Sequence, residues 1–136
     1  MVEQTAIEAT LTRYAQAWER RNRDEWLGSF SPDASQEDPI GTPPNNGHRQ
    51  IGEFWDEAMA MYSHIEIRPR QIYVCGGEAA MSWQIVGDDS DGWVTFEGID
   101  VFTFAPDGLI ASVRAYWRQD AKRRLSSPPS SADQRP

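Results

Sequence analysis

Apolar residues recur at two different periods along this chain, and the change of period divides it. Ile7, Leu11, Tyr14 and Trp18 follow one another at steps of four, three and four, the stripe of an amphipathic helix, while Arg13, Glu19 and Arg20 lie off it. Asp24 is placed to cap a short second helix carrying Trp26, Leu27 and Phe30, which Ser31–Pro32–Asp33 stops. A short extended piece from Ala34 to Asp38 leads into the loop Pro39–Ile40–Gly41–Thr42–Pro43–Pro44–Asn45–Asn46–Gly47. A third helix then presents Ile51, Phe54, Trp55, Ala58, Met59 and Tyr62 on one face. From Ile65 the period falls to two. Strands are predicted at about 65–74, bent at Pro69, and at about 79–87, 93–105 and 109–118. Turn residues Gly76–Gly77, Asp88 to Gly92 and Pro106–Asp107–Gly108 separate them. Helices first and an antiparallel meander afterwards predict an α+β fold, with one face of a curved sheet packed on the helices.

One strand carries a residue that its pattern does not explain. Between 93 and 105 the even positions read Val94, Phe96, Gly98, Asp100, Phe102 and Phe104, so a carboxyl sits in the middle of the apolar face. Slipping the register by one would expose three phenylalanines to rescue one acid, at about 1.5–3 kcal/mol for each Phe lost from the core. Asp100 is therefore expected to be buried. It is then either a structural acid paired to a cation or backbone, or a neutral, protonated one whose pKa desolvation has raised. Arg114 is one strand over, but its parity sets it with Ser112 and Arg118, opposite Leu109, Ala111, Val113, Ala115 and Trp117. Tyr14, central in the first stripe, is either a core tyrosine or a phenol with a polar partner. Asp38 precedes a proline and is held out of the helical region, which aims its side chain and also occurs in ordinary turns.

Composition narrows the function classes. The 136 residues suit one domain. Thirteen basic against 21 acidic side chains give a net charge of −8, the wrong sign for nucleic acid. Residues 120–136 carry +2 of this, leaving −10 on the rest. No apolar run reaches the roughly 20 residues a membrane span needs, so no membrane association is expected. The single Cys75 suggests a reducing compartment, the cytoplasm, and His48 and His64 leave little for a metal site. Asp88, Asp89 and Asp91 lack the downstream Glu of a calcium loop. From about Ser126 the chain is Ser- and Pro-rich, so residues 1–125 are expected to form the domain and 126–136 a disordered tail. Trp26, Phe30, Phe54, Trp55, Trp83, Phe102 and Trp117 are candidate walls of a slot for a flat, rigid, apolar molecule, and equally good core formers.

Taken together, RYAQAW at 13–18, EDPIGTPPNNGHRQIGEFW at 37–55, EGIDVFTF at 97–104 and RAYW at 114–117 resemble the Δ5-3-ketosteroid isomerases of the nuclear-transport-factor-2-like (NTF2-like, SnoaL-like) fold. The resemblance spans roughly residues 3–120. It implies a cone of three N-terminal helices on a curved, mostly antiparallel sheet. It also implies Asp38 as general base, with Tyr14 and Asp100 as the two oxyanion donors, a protonated Asp beside a Tyr being the family's own arrangement. The implied reaction moves a proton within a steroid-like ketone, with neither cofactor nor metal, and homodimerisation through the outer sheet face, where Trp93, Ile99 and Val101 lie. Several family members support the oxyanion tyrosine from the position of Trp55, and others extend that chain from the position of Phe30. An indole N–H donates but cannot relay, so the expectation is that Trp55 replaces the donor and leaves Tyr14 less acidic. Rival readings on the same fold are a polyketide cyclase, dehydratase or epoxide hydrolase, and a non-catalytic binding module for an apolar ligand. The epoxide hydrolases need an Asp–Arg–Asp set, against which the parity of Arg114 speaks.

Overall fold

A computed structural model of the chain describes residues 2–130. Helix α1 (Gln4–Arg20) buries Ile7, Leu11, Tyr14 and Trp18, the stripe read from the sequence, and ends where Arg21 turns left-handed at φ 54°. The short α2 (Arg23–Leu27) is capped by Asn22, whose side chain accepts from the Glu25 N–H at 3.1 Å, so the cap lies two residues before the Asp24 expected in that role. Phe30 corrects a second expectation. It is not on α2 but opens strand β1 (Phe30–Glu37), because it lies beside Ile110 in parallel register and both are fully buried there. That pairing is worth more than another half-turn of helix and cannot be seen locally.

Strand β2 (Asn45–Asn46) pairs with β1, and α3 (Gly47–Met61) follows. The long strands β3 (His64–Cys75), β4 (Glu78–Asp89) and β5 (Gly92–Phe104), then β6 (Ile110–Tyr116), form the antiparallel meander. The sheet order is β2-β1-β6-β5-β4-β3, with only β1 and β6 parallel, and the two-residue β7 (Arg123–Arg124) is added along β5. Pairing of β3 to β4 shifts register between Pro69 and Gln71, the expected bend. A second shift, between Thr103 and Phe104, turns Ile110 inward in place of the predicted Leu109 and Ala111. The result is three helices packed against one face of an open, curved, mixed sheet, an α+β architecture.

The core lies between α1, α2, α3 and the inner sheet face, around Trp26, Ile51, Trp55, Met81, Phe102 and Val113. Of the expected tail, residues 126–130 are described, and Arg68 of β3 donates to the carbonyl of Pro129 at 3.0 Å. Residues 131–136 lie outside the described residues.

Candidate active site

Asp100 is 3% exposed at the centre of β5, held between Met81 of β4 and Ala115 of β6 by the strand pairing. Arg114 is exposed, its guanidinium 5.7 Å over the Tyr116 ring, and among the described residues no cation pairs with Asp100. This removes the cation-paired alternative left open by strand parity. Burial is the main force on the carboxyl and pushes it up to about 8, helped by the charge of nearby Asp38 and opposed by the Trp83 N–H and the Tyr14 O–H. Tyr14 enters from α1 with its O–H 3.5 Å from Asp100 Oδ2, a long contact rather than a tight bond. Edge-on rings of Phe30 at 5.9 Å and Phe102 at 5.4 Å hold it there, with Trp26 tilted against it at 6.0 Å. Burial, then the charges of Asp100 and Asp38, raise the phenol well above an ordinary tyrosine.

Trp83 borders the same carboxyl from β4. Its ring lies across Gly98, where a Cβ would come within 2.6 Å of it, and its buried N–H forms no hydrogen bond among the described residues. The missing side chain at 98 is what lets the indole reach inward.

Asp38 stands at the end of β1 and is only partly buried. The following turn is tied down by the Ile40 N–H donating to the Ala115 carbonyl at 2.8 Å. Trp117 donates its indole N–H to Asp38 Oδ1 at 2.6 Å, a charge-assisted bond that aims the carboxyl into the hollow. Desolvation raises Asp38 to about 6, and the Trp117 bond opposes it. Near neutral pH the two acids therefore differ in state: Asp38 is mostly ionised and able to take a proton, whereas Asp100 is mostly neutral and able to donate a hydrogen bond.

Tyr14, Asp38 and Asp100 line one cavity, together with Phe54, Trp83 and Trp117 from the set read off the sequence. Trp26, Phe30, Trp55 and Phe102 sit a layer deeper, in the core behind Tyr14. Trp55 does not act as the expected donor: among the described residues no hydrogen bond joins it to Tyr14, and its ring packs on Trp18 at 4.8 Å and Trp26 at 5.0 Å. The sequence reading did not single out Ile65, Ile67 and Ile85 as lining, although their strand periodicity carries the signal, nor Tyr62, Gln119 and Lys122. Nothing in the local pattern marks Lys122. Among the described residues no group of three or more His, Cys, Asp or Glu side chains is arranged to hold a metal, and no helix is long and apolar enough to cross a membrane.

The SnoaL-like domain family matches residues 11–113. A steroid Δ-isomerase of Nocardioides simplex is 32% identical over 111 residues, covering 82% of this chain and 89% of that protein. Among solved structures, the epoxide hydrolase/cyclase-like enzyme SalBIII of salinomycin pyran-ring formation superposes with a TM-score of 0.83 at 21% identity, covering 92% of this chain and all of the other. The Δ5-3-ketosteroid isomerase of a Mycobacterium species does so with a TM-score of 0.77 at 20% identity, covering 87% of this chain and 97% of its own.

Proposed function

The chain belongs to the SnoaL-like (NTF2-like) family, and on that premise we propose that it is a steroid Δ-isomerase, converting a β,γ-unsaturated 3-ketosteroid to its conjugated isomer. The observation that carries the reading is the pair of acids in opposite protonation states, with Tyr14, around one apolar cavity. The 32% identical steroid Δ-isomerase supports the substrate class.

In this reading Asp38 removes the proton from the carbon between the ketone and the isolated double bond. The electron pair moves into a dienolate, and negative charge collects on the former carbonyl oxygen. Tyr14 and neutral Asp100 each donate an O–H to that oxygen, favouring it over the ground-state ketone in a site with little water. Asp38, now protonated, returns the same proton two carbons further along, which leaves the double bond conjugated and the carboxylate restored. A carboxyl near 6 suits both halves of that transfer. No step needs a cofactor. Among the described residues no arginine lines the cavity as an epoxide hydrolase's Asp–Arg–Asp set would need, and Arg114 is on the outer face.

The reading extends to assembly and compartment. Ile99 at 47% and Tyr116 at 42% exposure leave apolar surface on the outer sheet face for a second copy, and sedimentation at micromolar concentration tests the homodimer. The free, exposed Cys75 suits the cytoplasm. For the reaction itself, the protein is incubated with 5-androstene-3,17-dione and the absorbance of the conjugated enone followed. Turnover that Asp38→Asn abolishes, with binding of a phenolic steroid kept, supports the isomerase. Binding without turnover in the wild type sinks it in favour of a binding module.

A further inference from the structure

The cavity continues beyond the carboxyls. From Asp100 it follows β5 back to Phe96, about 13 Å at the rise of a strand. There the segment after β6 crosses it. That segment is anchored: Arg123 pairs with Thr95, Arg124 with Val94, and the Leu125 N–H donates to the Trp93 carbonyl at 3.0 Å. The anchoring sets Lys122 and Gln119 in the cavity wall. Lys122 Nζ stands 5.0 Å from the centre of the Phe96 ring and 5.3 Å from that of Trp117, and donates a long hydrogen bond, 3.4 Å, to the Tyr62 hydroxyl. Tyr62 is seated against Gly87, where a Cβ would come within 2.7 Å of its ring.

Among the described residues no ion pair joins this ammonium to an anion. Lys122 is the one cation among the described residues lining the cavity. Asp89, the acid whose field reaches it, is held by Arg124 through both carboxylate oxygens, at 2.7 and 3.0 Å. Glu57 lines the same cavity from α3 but is exposed, and no ion pair joins it to Lys122. Partial burial lowers the Lys122 pKa, the Arg124 charge acts in the same direction, and the Asp89 charge opposes them only in part. A half-buried ammonium over two aromatic faces is satisfied best by an oxyanion that brings its own charge. A neutral carbonyl would leave the charge uncompensated.

Resting on the reading of the Asp38 end as an isomerase site, we propose that Lys122, with Tyr62 beside it, receives a carboxylate at the far end of the substrate. The substrate class is then a polycyclic β,γ-unsaturated ketone with an acidic group opposite the reacting carbonyl.

The test uses a phenolic steroid carrying a carboxylic acid on the ring furthest from the phenol, and its methyl ester. Binding is followed through tryptophan fluorescence in the wild type, Lys122→Met and Lys122→Arg. The acid is expected to bind the wild type about tenfold more tightly than the ester, the scale of one hydrogen-bonded charge pair. The preference should vanish in Lys122→Met and persist in Lys122→Arg, with ester affinity little changed throughout. Equal affinities in the wild type, a preference unmoved by Lys122→Met, or binding of neither probe would overturn the proposal. The matching pair of β,γ-unsaturated ketones separates the two readings. Turnover without acid preference sinks only the Lys122 assignment, and acid preference in binding without turnover sinks only the isomerase.

Discussion

Asp38 and Asp100 open onto one hollow, yet the ends of the molecule that carry them treat a carboxyl differently. Asp38 leaves the end of β1, keeps partial contact with solvent, and receives one strong donor from Trp117. Asp100 is locked mid-strand between two neighbours, almost without solvent, beside the long Tyr14 contact and a Trp83 indole whose N–H forms no hydrogen bond among the described residues. The first environment leaves a carboxyl near 6, the second near 8. Identical side chains thus differ in protonation state near neutral pH because of where the backbone ends and where it continues, as the proposed base and donor require. The charge of Asp38 also raises the cost of ionising Asp100, so ionising Asp38 helps to keep Asp100 neutral.

Removing the proposed base breaks the contrast most severely. Asp38→Asn is expected to lower kcat by about 10²–10⁴, measured as enone formation, with binding of a phenolic steroid retained. Asp100→Leu removes a donor instead and should cost about 10²–10³ in kcat. Asp100→Asn keeps an N–H donor that does not titrate, and so sharpens the comparison through pH. Wild-type kcat/KM should rise through about 6 as Asp38 ionises and fall through about 8 as Asp100 does. The variant should lose the alkaline fall; a fall that persists near 8 would assign it to another group.

Trp117→Phe separates aiming from burial. Without the indole N–H, Asp38 keeps its desolvation and loses the bond opposing it, so the acidic limb should move up by about one pH unit. The smallest effect is on stability. Both carboxyls bind a proton more tightly folded than unfolded, so between about pH 4 and their folded values the native state holds more protons and stability falls as pH rises. For Asp100 that window runs up to about 8, with a slope of at most about 1.4 kcal/mol per pH unit. Urea denaturation from pH 5 to 8 should show the wild type losing stability faster than Asp100→Asn.

Periodicity alone carried much of this molecule. The α1 stripe, the four long strands and the inward parity of Asp100 follow from side-chain spacing, because burying three phenylalanines outweighs the cost of one neutral acid. The isolation of Asp100 from Arg114 followed from parity too. Other features are set by contacts between segments far apart in sequence, which no local window contains. Phe30 became a strand residue through Ile110, and the register shift at Thr103 reversed the inward positions at the start of β6. Only the packed structure divided the tryptophans, leaving Trp83 and Trp117 on the cavity and Trp26 and Trp55 in the core, since an aromatic ring has the same pattern in either place. Lys122 reaches the cavity because β7 anchors its segment to β5, a pairing of two residues that spacing does not announce. The sequence determined which side chains must leave water, and tertiary structure decided which of them face one another, because burial depends on one residue's own free energy and juxtaposition on two.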